Sequence, residues 1–429
     1  MFPYPSGNGL HIGHAYNYAL IDSYCRWQKG MGRYKNIFQP FGYDSFGLPA
    51  ENYAREHGRD PKEVTYENID KFRSQMKKMN TKFEELLITS DESYQKWTQW
   101  LFLKMKEHGM AYKANYPTNY CPSCETILAN EQVIKDNPAS KEGKCERCKT
   151  KIEFKEVESW YFKISKYRDR LISNLDWIDY PEKTKKQQRQ WLENMQDWCV
   201  SRQRSWGCPI PIEGETDTLD TFVDSSFYFL RYLDPNNDKE LFTKDKYKQV
   251  DLYIGGNEHA CMHLIYARAI NMFLYDIGIV KEEEPFKKVI HQGMITSKGR
   301  KMSKSLGNVV DPDNYDSDEL RMYLMFIGHY LEGGDWDDSK IVGIRRAIYK
   351  WKRWIDSAEE VGDKLDILTL TNTIDGYVES FKFNKVISTL MEFYNKNKDK
   401  KINIKDAELL SKIIESFAPN FKIKNYEKV

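Results

Sequence analysis

The stretch PSGNGLHIGHAYNYAL, residues 5–20, sets His11 and His14 three positions apart, after a glycine-broken loop and at the start of a helical pattern. Residues i and i+3 share one helical face, so the pair can grip a metal, cradle an anion or finish a core. A metal site wants further ligands at close spacing, and the neighbouring sequence supplies none. Gly7, Gly9 and Gly13 instead let backbone approach a phosphate at a helix N-terminus. An ordinary capped helix start with surface histidines fits the same residues, so the stretch alone leaves both readings open.

Working outward, the helical pattern is closed by Gly30 and Gly32, and NIFQPFGYDSFGLPAE follows as a short apolar run ending in a glycine-rich loop. Open parallel sheets place ligands at such strand ends. Residues 60–110 look helical, and residues 151–180 begin with strand-like alternation before turning helical. A second strand–helix–strand pattern comprises DLYIGG (251–256), a helix from Glu258 to Tyr275, and KKVIHQGMI (287–295). Beyond Ser339 the chain is helical and lysine-rich. The expected fold class is therefore α/β, with the strand–helix pattern split by a cysteine-bearing insertion.

A chain of 429 residues suits two to four modules. Lys+Arg 65 against Asp+Glu 64 leaves a net charge of +1, so any nucleic-acid surface must be a local patch. No run of about eighteen apolar residues is present to span a bilayer, and MFPYPSGNGL lacks the regions of a secretory signal. The expectation is a cytoplasmic protein with no membrane partner. Of the eight cysteines, Cys25, Cys199, Cys208 and Cys261 are scattered and read as small hydrophobes. Cys121-x2-Cys124, twenty residues, then Cys145-x2-Cys148 fits a four-thiolate zinc pattern, with Lys144, Arg147 and Lys149 as cationic neighbours. Two disulfides or a site that has lost its metal are the alternatives. A closed four-sulfur site would fold a small insert rather than do chemistry.

The second basic element is SKGRKMSKSLGNVVDPD (297–313), where Lys298, Arg300, Lys301 and Lys304 crowd a loop with Gly299, Ser303 and Ser305. Such a loop suits a polyphosphate, because ammonium groups can follow charge onto a leaving pyrophosphate; by itself it could equally be a solvated turn.

Together, HIGH (His11 to His14) and KMSKS (Lys301 to Ser305) resemble the two signatures of the class I aminoacyl-tRNA synthetases. MFPYPSG, GYDSFGLPAE, ILANEQVI, VSRQRSWG, DTFVDSSFYF and GGNEHACMHLIYAR resemble the leucyl branch of that family. The methionyl branch shares both signatures and zinc knuckles, but MFPYPSG and DTFVDSSFYF stand against it. A catalytically silent RNA-binding relative is disfavoured by intact His11, His14, Lys301 and Lys304.

The resemblance implies a Rossmann-like parallel sheet split by the zinc-bearing insertion and followed by an α-helical bundle. The expected divisions are 1–90, first half of the catalytic domain; 91–196, the insertion with a zinc module at about 118–152; 197–295, the second half; 296–340, the KMSKS and stem-contact region; and 341–429, an incomplete anticodon-binding-type bundle. It implies ATP, Mg²⁺ and structural Zn²⁺ as cofactors, leucine and tRNA(Leu) as partners, and a monomer. His11, His14, Lys301 and Lys304 would serve catalysis. Gly13, Gly255, Gly256, Glu258 and Ser303 would bind ATP, with Glu258 accepting from the ribose hydroxyls. Asp44 would take the leucine ammonium, with Phe2, Tyr4, Phe222, Tyr228 and His263 around the side chain. Cys121, Cys124, Cys145 and Cys148 would hold the metal.

For tRNA, Lys183, Lys185, Lys186 and Arg189 share a short segment. Ile341, Ile344, Ile348, Trp351 and Ile355 form one helical stripe while Arg346, Lys350 and Arg353 share another face. The family's large editing domain, which interrupts the chain just before VSRQRSWG, has no counterpart here, because Trp191 to Trp198 leaves room only for a turn. The expectation is an enzyme without proofreading in cis.

Overall fold

The computed structural model describes residues 2–5, 9–128, 132–134, 142–302 and 308–423, the side chain of Pro49 excepted. The chain divides into two compact units, Met1–Gly7, Pro40–Ile69 and Glu85–His291 forming one, and Asn8–Gln39, Asp70–Glu84 and Gln292–Val429 the other.

In the first unit, Pro40–Tyr43 pairs with the strand Glu84–Ile88, and Thr89 N donates to Tyr43 O at 3.0 Å, an ordinary ladder bond. Tyr253–Gly256 pairs with Val289–Gln292. Flanking bridges Val250 to Phe286 and Asp179 to Lys288 are parallel, the direction that a strand–helix–strand crossover requires. That crossover is the helix His263–Asp276, buried nearly all round: Leu264, Ile265, Ala267, Ile270, Phe273 and Leu274 enter the unit's main core with Trp198 and Phe222. Arg268 is also buried there, forked onto both Glu284 carboxylate oxygens at 2.7 and 2.8 Å. A helix apolar on every face needs partners on every face.

The insertion is built on the long antiparallel hairpin of Ala111–Cys121 and Glu153–Phe162. The first strand ends at Cys121, and the cysteine module follows. Glu153–Phe162 pairs at its far end with Trp198–Cys199, so the segment leading into VSRQRSWG re-enters the core beside it.

In the second unit, helix Ile12–Gly30 packs on helix Ser317–Phe326, and four further helices follow: Asp338–Asp356, Ile367–Glu379, Phe383–Asn397 and Ile404–Glu415. Met294–Ser297 pairs in parallel with Gly333–Trp336 and antiparallel with Arg300–Lys301. Lys298 (φ 52°) and Gly299 (φ 69°) make the tight turn of this hairpin, two consecutive positive φ values being the mark of the turn that follows strand twist.

Three expectations shift. Residues 60–110, read as helical, contain the strand Glu84–Ile88 between helices Pro61–Lys78 and Glu92–Glu107. The helix expected from Glu258 begins at His263, preceded by a 3₁₀ turn at Asn257–His259. On Asp338–Asp356 the stripe is Ile341, Ile344, Trp351 and Ile355 with Trp354 added, while Ile348 is half-buried. Among the described residues no helix is long and apolar enough to cross a membrane.

Candidate active site

The first unit contains a cleft of ≈ 480 Å³, measured out to its open mouth, at the ends of its paired strands. Its walls include Phe2, Tyr4, Asp44, Phe222, Tyr228, Gly255, Gly256 and His263, drawn from four separated stretches. Asp44 follows strand Pro40–Tyr43, and its N–H donates to Pro3 O at 2.9 Å, which lays the amino-terminal segment along that strand end. Phe2 stacks on Tyr228 with centroids 4.1 Å apart and planes within 5°. A glycine at position 42 makes this seat available: a Cβ there would stand 2.9 Å from the Phe2 ring and 2.6 Å from Leu87 O.

Asp44 is buried, at 1% exposure. Burial pushes its carboxyl up to about 8; hydrogen bonds from Thr221 (2.7 Å) and Tyr4 pull the other way, and neighbouring Asp220 adds to the rise. A carboxyl in that state awaits a cation. Asp220 is itself held by Arg202, and its Oδ1 caps the short helix Thr221–Ser225 by accepting from Phe222 N at 3.1 Å. His263 opens its helix with Nε2 2.6 Å from the Tyr253 hydroxyl, which in turn bonds the Tyr228 hydroxyl. Burial drives His263 down to about 3, so the ring is neutral at physiological pH. The Glu258 carboxylate folds back over Gly256, where a Cβ would lie 2.1 to 2.3 Å from its atoms.

A second cleft in this unit shares the walls Tyr4 and Phe222 and carries Arg147, Arg202 and Arg204. Its floor includes Ile127 and Leu128 of the cysteine module.

In the second unit the two histidines that opened the sequence cap a helix. His11 sits at the N-cap of Ile12–Gly30, its Nδ1 accepting from Gly13 N (3.1 Å) and His14 N (3.3 Å), while His14 Nδ1 accepts from His11 N at 3.3 Å. This is a capping box made from imidazoles, stacked with centroids 3.7 Å apart. Each Nδ1 that accepts carries no proton, so both rings hold theirs on Nε2. Burial, with His11 alongside, keeps His14 well below its usual range. The pair thus consists of neutral Nε2–H donors at a helix N-terminus, where anions are favoured. Gly9 (φ 83°) shapes the approach, since a Cβ there would strike Gln75 Oε1 at 2.6 Å, the atom that accepts from Leu10 N. Tyr16 and Asn17 tie the helix to Tyr330, next to strand Gly333–Trp336. Through that strand's partner the unit also carries the hairpin bearing the exposed Lys301. Ser303 and Lys304 lie outside the described residues.

The four motif cysteines converge, their sulfurs all within 4.8 Å of one another. Cys121 Sγ is 3.3 Å from Cys148 Sγ, and Cys121 Sγ accepts from Cys124 N. All four are free thiols rather than two disulfides. Burial raises Cys148, yet hydrogen bonds from Thr150 and the neighbouring thiols bring it down to about 6. Cys121 and Cys124, by contrast, are pushed up, first by burial. The scattered Cys25, Cys199 and Cys208 are buried, and Cys261 is half-buried.

Arg346, Lys350 and Arg353 are exposed on helix Asp338–Asp356, and Lys183, Lys186 and Arg189 on Glu182–Leu192, while Lys185 pairs with Asp176 at 3.1 Å. Sequence reasoning missed Ser225, Tyr253, His259 and His291 among the cleft-lining residues. Tyr253 stands two positions before Gly255 and His259 next to Glu258, so the flanks of motifs already noted held that signal; His291 had none.

The family model described as tRNA synthetases class I (M) matches residues 1–344. The leucine–tRNA ligase of Clostridium kluyveri is 30% identical over the whole of this chain and 85% of its own length. That of Clostridium botulinum strain Hall is 30% identical over 92% of this chain and 80% of its own. The C. kluyveri alignment occupies 698 positions although this chain has 429 residues, so some 269 positions face a gap here. Among solved structures, the Agrobacterium radiobacter K84 agnB2 LeuRS–tRNA–LeuAMS ternary complex superposes with a TM-score of 0.87 and 25% identity, covering 98% of this chain and 83% of that one. Mycobacterium tuberculosis methionyl-tRNA synthetase, at 0.76 and 21% over 98% of this chain and 92% of that one, shares the fold. The chain therefore belongs to the class I tRNA synthetases, within the leucine–tRNA ligase family.

Proposed function

We propose that this protein activates leucine with ATP, releasing pyrophosphate, and passes the leucyl group to the terminal adenosine of tRNA(Leu). The observation that carries the proposal is Asp44: a buried carboxyl raised to about 8, at the wall of an aromatic cleft made by Phe2, Tyr4, Phe222 and Tyr228. It asks for a ligand with an ammonium beside an apolar side chain.

In this reading Asp44 holds the leucine ammonium and fixes where the carboxylate points. The carboxylate oxygen attacks the α-phosphorus, and the bond to the β-phosphate oxygen breaks. In-line transfer of this kind depends on positioning and charge stabilisation. His11 and His14 offer phosphate oxygens two Nε2–H donors, and Lys301, with Lys304, supplies positive charge. A diffusible Mg²⁺ travelling with ATP would neutralise phosphate charge. Glu258 accepts from the ribose. The exposed Arg346, Lys350 and Arg353 suit phosphate contacts of the tRNA. The protein works as a cytoplasmic monomer in this reading.

Amino-acid-dependent exchange of labelled pyrophosphate into ATP, run over all twenty amino acids, tests the proposal. Leucine should give the dominant signal; dominance of methionine, or no signal, contradicts it. The gap of some 269 positions and the short run from Trp191 to Trp198 support an enzyme without hydrolytic editing in cis. An apolar pocket discriminates a methylene by only about 1–3 kcal/mol, so isoleucine or norvaline should be charged and should persist on tRNA(Leu). Protein-dependent deacylation above the spontaneous rate would contradict this.

Cys121, Cys124, Cys145 and Cys148 fit a tetrahedral zinc site, four sulfurs on two turns with no fifth donor needed. The ion would supply folding energy to the module and no step of the reaction. Expected is one zinc per chain by elemental analysis, falling to near zero in Cys145→Ser, with hydrogen exchange in residues 118–152 losing protection. A Cys145→Ser protein with full zinc content, or unaltered exchange after chelation, contradicts a structural zinc.

A further inference from the structure

His291 is a cleft residue to which neither its motif nor its neighbours assign a role. It lies on strand Val289–Gln292, is 8% exposed, and lines the same cleft as Asp44. Its Nδ1 stands 3.0 Å from Gly255 O. A carbonyl oxygen only accepts, so Nδ1 carries the ring proton and Nε2 presents a bare lone pair. That Nε2 is buried and has no hydrogen-bond partner among the described residues. Leaving a buried acceptor unpaired costs about 1–3 kcal/mol, and such an atom in a ligand cleft calls for a donor from the ligand.

The position of the ring says which donor. Its bond to Gly255 sets it beside the Gly255–Gly256 pair, and the Glu258 carboxylate folds over that same pair, 2.1 to 2.3 Å from where a Gly256 Cβ would be. Two acceptors of different kinds, one anionic and one neutral, therefore border one diglycine edge. A vicinal diol offers two O–H donors, one for each acceptor. The leucine ammonium is served by Asp44 and phosphate oxygens have no proton to give; of the donors left, the adenine amino group and the ribose diol, the diol is the one that Glu258, bordering the same two glycines, is read as accepting from.

We propose that His291 Nε2 is a second acceptor for the ribose diol of ATP, beside Glu258, and so a positioning residue for the nucleotide. This rests on the reading of the protein as a leucine-activating enzyme. Burial holds His291 below the usual histidine range, against the opposing pull of Gly255 and Glu258, so the ring stays neutral and its lone pair free.

The test is leucine-dependent pyrophosphate exchange with ATP, 2′-deoxy-ATP and 3′-deoxy-ATP, in the wild type, His291→Phe and His291→Gln. Phe keeps the ring and removes both nitrogens; Gln returns a polar atom near the Nε2 position. His291→Phe should lower kcat/KM for ATP by about tenfold, mostly through KM. With the deoxy-nucleotide that lacks the contacted hydroxyl it should change less than about twofold. His291→Gln should recover most of the loss. Equal losses on all three nucleotides, or no loss on ATP, overturn the role of His291. Should His291→Phe not fold, His291→Leu takes its place with the same expectation, a loss on ATP that is absent with one deoxy-nucleotide, and equal losses on all three nucleotides overturn the role; a wild type indifferent to both hydroxyls overturns the proposal outright. A wild type with no leucine-dependent exchange on ATP instead brings down the leucine reading itself.

Discussion

Asp44→Asn is expected to abolish leucine activation, lowering kcat/KM for leucine by about a hundredfold or more, while making the empty protein more stable at neutral and alkaline pH. The first effect follows from removing one member of a buried charge pair, which costs about 2–5 kcal/mol at about 1.4 kcal/mol per factor of ten. The second follows from linkage. The carboxyl is raised to about 8 in the fold, first by burial and further by Asp220, against an unfolded value of about 3.9. Between those two values the folded state binds a proton that the unfolded state has lost, so stability falls as pH rises, by up to about 1.4 kcal/mol per pH unit. Asn does not titrate, so denaturation midpoints of the two proteins should be close near pH 4 and diverge in favour of the variant up to about pH 8. Leucine affinity in the wild type should run the other way. Binding the ammonium requires the carboxylate, so the dissociation constant should improve by about tenfold per unit from pH 6 towards 8, with a proton released on binding, then level off. Calorimetry in buffers of different ionisation enthalpy measures that proton. A variant retaining leucine activation within threefold, or a pH-independent leucine affinity, would falsify the assignment of Asp44.

Arg321→Met is expected to be the most destabilising single change within the second unit. Arg321, on helix Ser317–Phe326, is fully buried and reaches across to helix Ile12–Gly30. Its guanidinium donates to Asp22 Oδ2 (2.7 Å), Ser23 Oγ (2.8 Å), Met79 O (3.1 Å) and Phe417 O (3.2 Å). One side chain thereby satisfies groups from three segments far from it in sequence. Methionine fills much of the volume but leaves the carbonyls without the guanidinium and Asp22 with only Arg26 and the Lys82 N–H as donors. Breaking a buried pair from one side costs about 3–5 kcal/mol, which should appear as a lower urea midpoint. Arg345→Met supplies the contrast: its pair with Glu319 at 2.8 Å is at the surface, where such pairs contribute little, so its midpoint should not move. Equal effects from the two substitutions would show that the buried arginine has no special role.

Much of this protein was legible along the chain. The spacing of Cys121, Cys124, Cys145 and Cys148 implied their convergence, because two-residue knuckles admit few geometries. HIGH and KMSKS named the family, and glycines at 9, 42 and 256 mark places where neighbouring atoms leave no room for a Cβ. The strand Glu84–Ile88 escaped because EELLI is a short apolar run, in which periodicity cannot separate strand from helix.

What the sequence by itself determined, then, was which residue types are present at which intervals, and hence the family, the metal-type cluster and the alternation of strands and helices. Only the tertiary structure decided protonation and partnership. It turned His11 and His14 into reciprocal caps with their protons on Nε2, raised the carboxyl of Asp44, and left His291 with an unanswered acceptor. The reason is physical: spacing along a chain is local, whereas desolvation and hydrogen-bond partnership depend on atoms brought together from remote segments, as Phe2, Asp44, Phe222, Tyr228 and His263 are in one cleft.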